Sequence, residues 1–358
     1  MLMGKMAGSR ECMESGERSV RIAVVIPAYK VSAQILEVIR RVGPEVQRII
    51  VVDDGCPEGT GKLVESQAAN PRLEVLFHQV NQGVGAAVVS GYRRALDHGA
   101  DIVVKLDGDG QMAPEQIAAL IMPIVVGEAD YVKGNRFFNP EDLGGMPPVR
   151  LLGNAALSFL TKLSSGYWSI FDPTNGFTAI HAGVLPILRM DRLAPRYFFE
   201  SDMLFRLNLL RCKVIDVPLP AIYGSESSNL SVRGVLLPFF WRNCVNFHKR
   251  MFYNYFVRNF SVASLYLLFG ILLSAFGTAV GIDGWHESLV TGVARPTGTI
   301  MLATLPLLIG LQLILAFVGF DVSMEPDIPI HPRLARLQAG AALLTGASAE
   351  PSPALPLT

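Results

Sequence analysis

Two carboxylates one residue apart, in Asp107-Gly-Asp109-Gly-Gln111, follow directly on the run Asp-Ile-Val-Val-Lys-Leu. At a strand end such a pair can aim at one divalent ion bridging a pyrophosphate, with Gln111 adding a neutral oxygen. Hard oxygen ligands favour Mg2+ or Mn2+ over zinc. Asp-Gly pairs also build plain turns, so this spacing alone leaves both readings open. A second acidic pair, Asp53-Asp54, ends the run Val-Val at another strand terminus. Adjacent acids there are costly without partners, which sugar hydroxyls, a base N–H or a metal would supply. Gly83-Val-Gly85 opens a helix and offers backbone N–H groups to phosphate. A dinucleotide fingerprint fails here: position 88 is valine, and the turn Ala28-Tyr29-Lys30 after the first apolar run has no glycine.

The elements that must hold these residues are short and alternating. Residues 21–27, 48–53, 73–77 and 101–107 are near-continuous apolar runs of strand length, suited to strands buried on both faces. Residues 33–41, 60–69 and 84–98 between them have helical periodicity. This order predicts an α/β fold, a doubly wound, Rossmann-like and mostly parallel sheet, with ligands at the carboxyl ends of the strands.

Formal charge balances at 31 basic against 31 acidic residues, which gives no electrostatic case for a nucleic-acid partner. The four cysteines lie far apart without metal spacing and read as reduced thiols, which points to a cytosol-facing domain. The first nineteen residues are polar and carry no signal-peptide core. The apolar excess gathers late. Residues 260–282 and 298–320 are uncharged and long enough to cross a hydrocarbon core of about 30 Å. Lys249, Arg250 and Arg258 precede the first, and Arg333 and Arg336 follow the second. The linker 283–297 holds one arginine and two acids. The basic flanks place the catalytic domain and both termini in the cytoplasm, with a short external loop. Residues 235–255 interleave Leu237, Phe240, Trp241 and Phe252 with Arg242, Lys249 and Arg250, as expected of helix lying in the membrane interface. The chain thus divides into a disordered tail (1–20), a catalytic domain (21–232), interfacial amphipathic helices (233–258), a two-helix transmembrane region (259–322) and a mostly disordered cytoplasmic tail (323–358).

The ordered motifs VVIPAYK, VVDDG, NQGVGAA, LDGDGQ, GNRF and DPTNGF resemble glycosyltransferase family 2 with a GT-A fold, over roughly residues 21–232. The subgroup it looks like is the polyprenyl-phosphate glycosyltransferases, the dolichyl-phosphate mannose synthases and bactoprenyl-phosphate glucosyltransferases. The resemblance implies a nucleotide-sugar donor, a polyprenyl-phosphate acceptor in the bilayer and a divalent cofactor. Association into homo-oligomers stays open. Pro27, Ala28 and Tyr29 would flank the base, with Asp53 and Asp54 near base or ribose and Gly83 near the donor. Asp107 would lie near ribose and pyrophosphate, with Asp109 and Gln111 completing the metal site. Arg136 would reach a donor or acceptor phosphate, and Asp172 and Asn175 would belong to the turn near the sugar. Asp109, Arg136 and Asp202 make up the catalytic set, with Asp202 in the segment approaching sugar and acceptor. After residue 218 the chain departs from the family: Asn229 stands where lysine is common, which leaves Ser228 and Arg233 as acceptor-phosphate candidates.

A phosphomonoester is largely a dianion at pH 7. It attacks without deprotonation, whereas a sugar hydroxyl would need a base. Asp202 is therefore read as a positioning group rather than a base, and one displacement inverts the anomeric centre. A processive polysaccharide synthase of the same family would carry a QxxRW motif and more spans. A non-catalytic nucleotide-sugar binder would show a damaged Asp-x-Asp. Neither signature is present.

Overall fold

The computed structural model describes residues 19–136, 148–219 and 232–345. Seven strands form one sheet: β1 Ile22–Ala28, β2 Val46–Asp53, β3 Leu73–Phe77, β4 Ile102–Lys105, β5 Tyr131–Asn135, β6 Thr178–His181 and β7 Val214–Pro218. Their order is β3-β2-β1-β4-β6-β5-β7, all parallel except β6, which runs antiparallel to β4 and β5. The helices of this half are α1 Ile35–Arg41, α2 Thr60–Gln67, α3 Val84–Asp97, α4 Ile117–Val125, α5 Pro148–Ser165 and α6 Phe199–Leu210. Alternate strand residues serve the two faces. Ala23, Val25, Ile50, Val52 and Val103 pack with α3 and α6 on one side. Val24, Ile26, Ile49, Val51 and Val104 pack with α1 and α4 on the other. The doubly wound, mostly parallel sheet anticipated from the apolar runs is what forms.

The C-terminal part is helical: α7 Val232–Phe252 continues into a π-helical segment Tyr253–Arg258, then α8 Val262–Thr291, α9 Thr297–Ser323 and α10 His331–Thr345. Helix α7 runs beside α6 in the same direction. Arg242 lies over the Phe198 ring, Asn246 donates to Asp202 at 3.2 Å, and Asn254 donates to Asn208 at 3.1 Å. Its polarity is inverted relative to a soluble helix. Asn243 and Arg250 are each 2% exposed, whereas Leu237 is 75% and Trp241 68% exposed. Arg250 is therefore not a flanking surface charge as the sequence suggested. Its guanidinium grips Asp321 of α9 at 2.7 and 2.9 Å, and Tyr255 and Trp168 donate to the same carboxylate at 2.6 and 3.2 Å.

Helices α8 and α9 form a hairpin with apolar outer faces, each long and apolar enough to cross a membrane. Small residues let the two backbones approach closely. A Cβ added at Gly277 would meet the Ala303 carbonyl at 2.5 Å, and one at Gly310 would meet the Ser274 amide at 2.6 Å. The structure corrects two expectations here. The linker placed at 283–297 is mostly helix: α8 runs on to Thr291, and only Gly292, in the left-handed region at φ 70°, stops it. Polar residues such as Asp283 and Glu287 do not end a helix; a glycine and Pro296 do. The tail after residue 323 was expected to be mostly disordered, yet α10 occupies residues 331–345. Its start is anchored by Asp130, which accepts from the Ile330 and His331 amides at 2.9 and 2.8 Å.

Candidate active site

The strands end in polar residues at one rim of the sheet. At β1, Pro27 and Ala28 close the strand, and Tyr29 stands exposed beside Lys30, whose φ of 57° turns the chain sharply. At β2, the two acids do not wait for a ligand. Asp53 accepts from the Cys56 and Gly61 amides at 2.7 and 2.6 Å, capping the first turn of α2. Asp54 accepts from the Gln82 and Gly83 amides at 2.9 and 2.7 Å and pairs with His78 Nδ1 at 2.7 Å. The expectation that ligand groups satisfy this pair is thus replaced: backbone amides of two loops do so. The Gly83 N–H is spent on Asp54, and a Cβ there would strike the Pro195 carbonyl. In this structure these residues shape the walls of the rim.

At β4 the arrangement is different. Asp107 is partly exposed and its Oδ1 lies 3.0 Å from Lys105 Nζ, which also donates to Glu200 Oε1 at 3.0 Å. Burial alone would lower the Lys105 pKa, but the two carboxylates outweigh it and hold the ammonium charged. Asp109 Oδ1 accepts from the Gln111 amide at 3.0 Å, and Gly110 takes the left-handed conformation at φ 77° that closes this turn. Gln111 is exposed. A Cβ at Gly176 would collide with both Asp107 and Lys105, so the turn 172–177 presses directly on the acidic rim.

Across the sheet, Lys105, Thr178 and Lys133 occupy one register row. Lys133 donates to the Asn175 carbonyl at 2.7 Å, and burial depresses its pKa to about 8 despite Glu200, Asp172 and Asp216 nearby. Asn175 in turn donates to the Gly134 carbonyl at 2.5 Å. Arg136 forks onto Asp172 at 2.8 and 3.2 Å. Asp216 accepts from the Phe171 amide at 2.6 Å, and burial pushes its carboxyl up to about 6.

The structure therefore brings Asp107, Asp109, Gln111, Arg136, Asp172 and Asn175 to one rim. Asp202 is on the same helix as Glu200 but faces elsewhere, accepting from the Ala194 amide, Arg206 and Asn246 at 3.0, 2.9 and 3.2 Å. Two residues along a helix point to nearly opposite sides, so Glu200, not Asp202, meets the Lys105–Asp107 group. Lys105, Lys133, Glu200 and Asp216 were not singled out from sequence. A lysine inside each of two buried strand runs, IVVK and YVKGN, was the available signal. Ser228 lies outside the described residues, and Arg233 falls in the first turn of α7. Among the described residues no three His, Cys, Asp or Glu side chains are grouped as a metal site. Asp107 and Asp109 offer two carboxylates, and Gln111 a hard neutral oxygen, a set that fits a cation sharing its shell with phosphate.

Comparison with known proteins follows the same line. The profile described as Glycosyl transferase family 2 matches residues 23–186. A Methanococcus voltae protein named UDP-N-acetylglucosamine–dolichyl-phosphate N-acetylglucosaminyltransferase is 33% identical over 220 residues, 58% of this chain and 87% of that protein. An undecaprenyl-phosphate mannosyltransferase of Micrococcus luteus is 30% identical over 204 residues, 56% of this chain and 83% of the relative. The solved mannosyl-3-phosphoglycerate synthase of Rubrobacter xylanophilus shares the fold, at TM-score 0.50 and 17% identity over 68% of this chain and 77% of that one. Motif order, sheet topology and these relatives agree that the chain belongs to glycosyl transferase family 2 and has a GT-A fold.

Proposed function

We propose that this chain transfers a hexose from a nucleotide-sugar donor to a polyprenyl phosphate at the membrane surface, inverting the anomeric centre. A UDP-sugar is the favoured donor, and GDP-mannose fits as well. The observation that carries this reading is the coupling of the acidic rim to α7. One pair of parallel helices, α6 and α7, bears Glu200 against the donor rim on one side and an outward apolar stripe on the other. A soluble acceptor would need no such stripe. The names of the two relatives, both acting on lipid phosphates, support the same acceptor class.

Asp107, Asp109 and Gln111 would hold Mg2+ or Mn2+, which supplies charge stabilisation to the leaving nucleoside diphosphate. Lys105 holds Asp107 aimed at the rim through their 3.0 Å ion pair. Arg136 releases one edge of its fork from Asp172 to meet phosphate oxygens, a geometry for which a planar guanidinium is suited. The acceptor phosphate is itself the nucleophile, so no base is required, and Asp202 positions α6 against α7 instead of moving a proton. Alignment and electrostatics carry the rate. Hairpin α8–α9 crosses the bilayer, with the catalytic domain and both termini in the cytoplasm. The segments on either side of the hairpin touch through Glu325 and the Trp168 amide at 2.9 Å, consistent with a shared side.

The test incubates purified protein with undecaprenyl phosphate and a panel of nucleotide sugars, followed by mass spectrometry of the lipid fraction. One hexosyl-phosphate lipid should appear with one donor. Preference for a free sugar acceptor over every lipid phosphate would refute the assignment.

A further inference from the structure

A cavity of about 300 Å3 opens where the end of α6, the π-helical segment after α7, and the end of α9 meet. It lies at the other rim from Asp107. Arg211 lies three residues before β7, whose start is the rim opposite the ends of the parallel strands, and most of the 12-residue α6 separates it from Glu200. The whole helix is about 18 Å long at 1.5 Å per residue. The donor rim and this cavity are separate places.

Its lining is basic. Arg211, Arg250 and Arg258 face a single carboxylate, Asp321. Arg250 already neutralises Asp321 through two hydrogen bonds, so two guanidinium charges are left without a counter-charge in the lining. Arg211 donates one N–H to the Met324 carbonyl at 2.6 Å and Arg258 one to the Leu209 carbonyl at 2.8 Å. Each anchor fixes the side chain while leaving further N–H groups of its fork for a ligand. The buried atoms Arg250 Nε, a donor, and Asn254 Oδ1, an acceptor, have no hydrogen-bond partner. The cavity's position supplies the source. Ser261 at the start of α8 and Phe320 near the end of α9 both line it, so it sits where the apolar hairpin emerges from hydrocarbon.

We propose that this cavity binds the phosphate of an anionic lipid headgroup, at a site distinct from the acceptor phosphate. It is a basic recess at headgroup level, and such recesses select anionic lipids. The proposal rests on α8 and α9 spanning the bilayer; it is independent of which sugar is transferred or whether transfer occurs.

The experiment uses the full chain in neutral detergent and follows its thermal midpoint. Dihexanoyl phosphatidylglycerol, dihexanoyl phosphatidylcholine and inorganic phosphate are titrated separately. The glycerol lipid should raise the midpoint saturably, and the choline lipid should not. Arg211→Gln and Arg258→Gln should each weaken that response about tenfold in lipid concentration, as expected for loss of a charge-assisted phosphate contact. Arg258 is exposed, so its variant carries the comparison should Arg211→Gln fail to fold; cooperative melting without lipid is the control. Equal stabilisation by inorganic phosphate would overturn the lipid as source. A phosphatidylglycerol response unchanged in both variants, or no response at all, would overturn the site.

Discussion

Replacing Asp321 with asparagine keeps the shape of the residue and removes its charge. Arg250, 2% exposed, would then be a buried cation facing a neutral amide. Four hydrogen bonds converge on this carboxylate, two from Arg250 and one each from Tyr255 and Trp168. Breaking a buried pair on one side costs about 3–5 kcal/mol, because the remaining charge stays desolvated. At roughly 2–4 °C per kcal/mol for a domain of a few hundred residues, Asp321→Asn should lower the melting midpoint by on the order of 10 °C. The cost belongs to the uncompensated charge rather than to the pair. The triple variant Arg250→Met, Asp321→Leu, Tyr255→Phe should therefore recover about half of the loss. Trp168 Nε1 and the Leu163 carbonyl would still lose a partner, at about 1 kcal/mol each, leaving a residual near 2 kcal/mol. Differential scanning fluorimetry in one detergent, with protein concentration fixed, measures all three. An Asp321→Asn midpoint within 2 °C of the parent, or a triple variant worse than the single one, would refute the reasoning.

Asp109→Asn should lower turnover about a hundredfold, the scale of losing one preorganised charge contact, and EDTA should abolish activity; full turnover in EDTA would remove the metal from the proposal. Lys105→Met should leave Asp107 and Glu200 facing each other without their shared cation, raising the nucleotide-sugar dissociation constant about tenfold by calorimetry, while an unchanged constant would deny Lys105 that role. His181, stacked on His331 at 4.2 Å, has its pKa lowered to about 4, chiefly by burial, against an ordinary value of 6.5. The unfolded chain therefore binds this proton first as pH falls, so its contribution is complete above pH 6.5 and erodes down to about pH 4. Amide exchange at the start of α10 should accelerate across that window and His181→Phe should flatten the response; pH-independent exchange in the parent would contradict it. A tag inserted at residues 292–296 should be accessible from outside in intact cells, and cytoplasmic protection of that tag would mean the hairpin does not cross.

What the sequence disclosed was whatever a local pattern encodes. The strand Leu73–Phe77 has the bounds its sequence predicts, because a run of apolar residues with polar punctuation leaves little freedom. The acidic rim was legible as Asp107-Gly-Asp109 for the same reason. Partners distant in sequence were not. Nothing near Asp53 or Asp54 announces that amides at 56, 61, 82 and 83 will satisfy them. Lys105 carries no local sign of its role, because its partner Glu200 on α6 lies 95 residues later. The aromatic and basic mixture of α7 was visible, but not which side faces inward, because the partner of Arg250 is 71 residues away. The end of α8 was misjudged by weighing charges above stop signals.

The side-by-side course of α6 and α7 sets the posture of the whole enzyme. Helix α6 leads into β7 and runs opposite to it, so α7, the strands and α6 share one long axis. On the proposed placement of the apolar stripe of α7 against a bilayer, that axis would lie flat and the sheet would recline along the surface instead of standing on it. The rim bearing Asp107 and the root of the hairpin then sit at one altitude, some tens of ångströms apart along the 21 residues of α7. On the proposed function, a polyprenyl chain would then reach the reacting edge beneath the domain without leaving its lipid layer, sparing about 0.8 kcal/mol for every methylene otherwise lifted into water. The nucleotide sugar meets it laterally, from the open water beyond that edge.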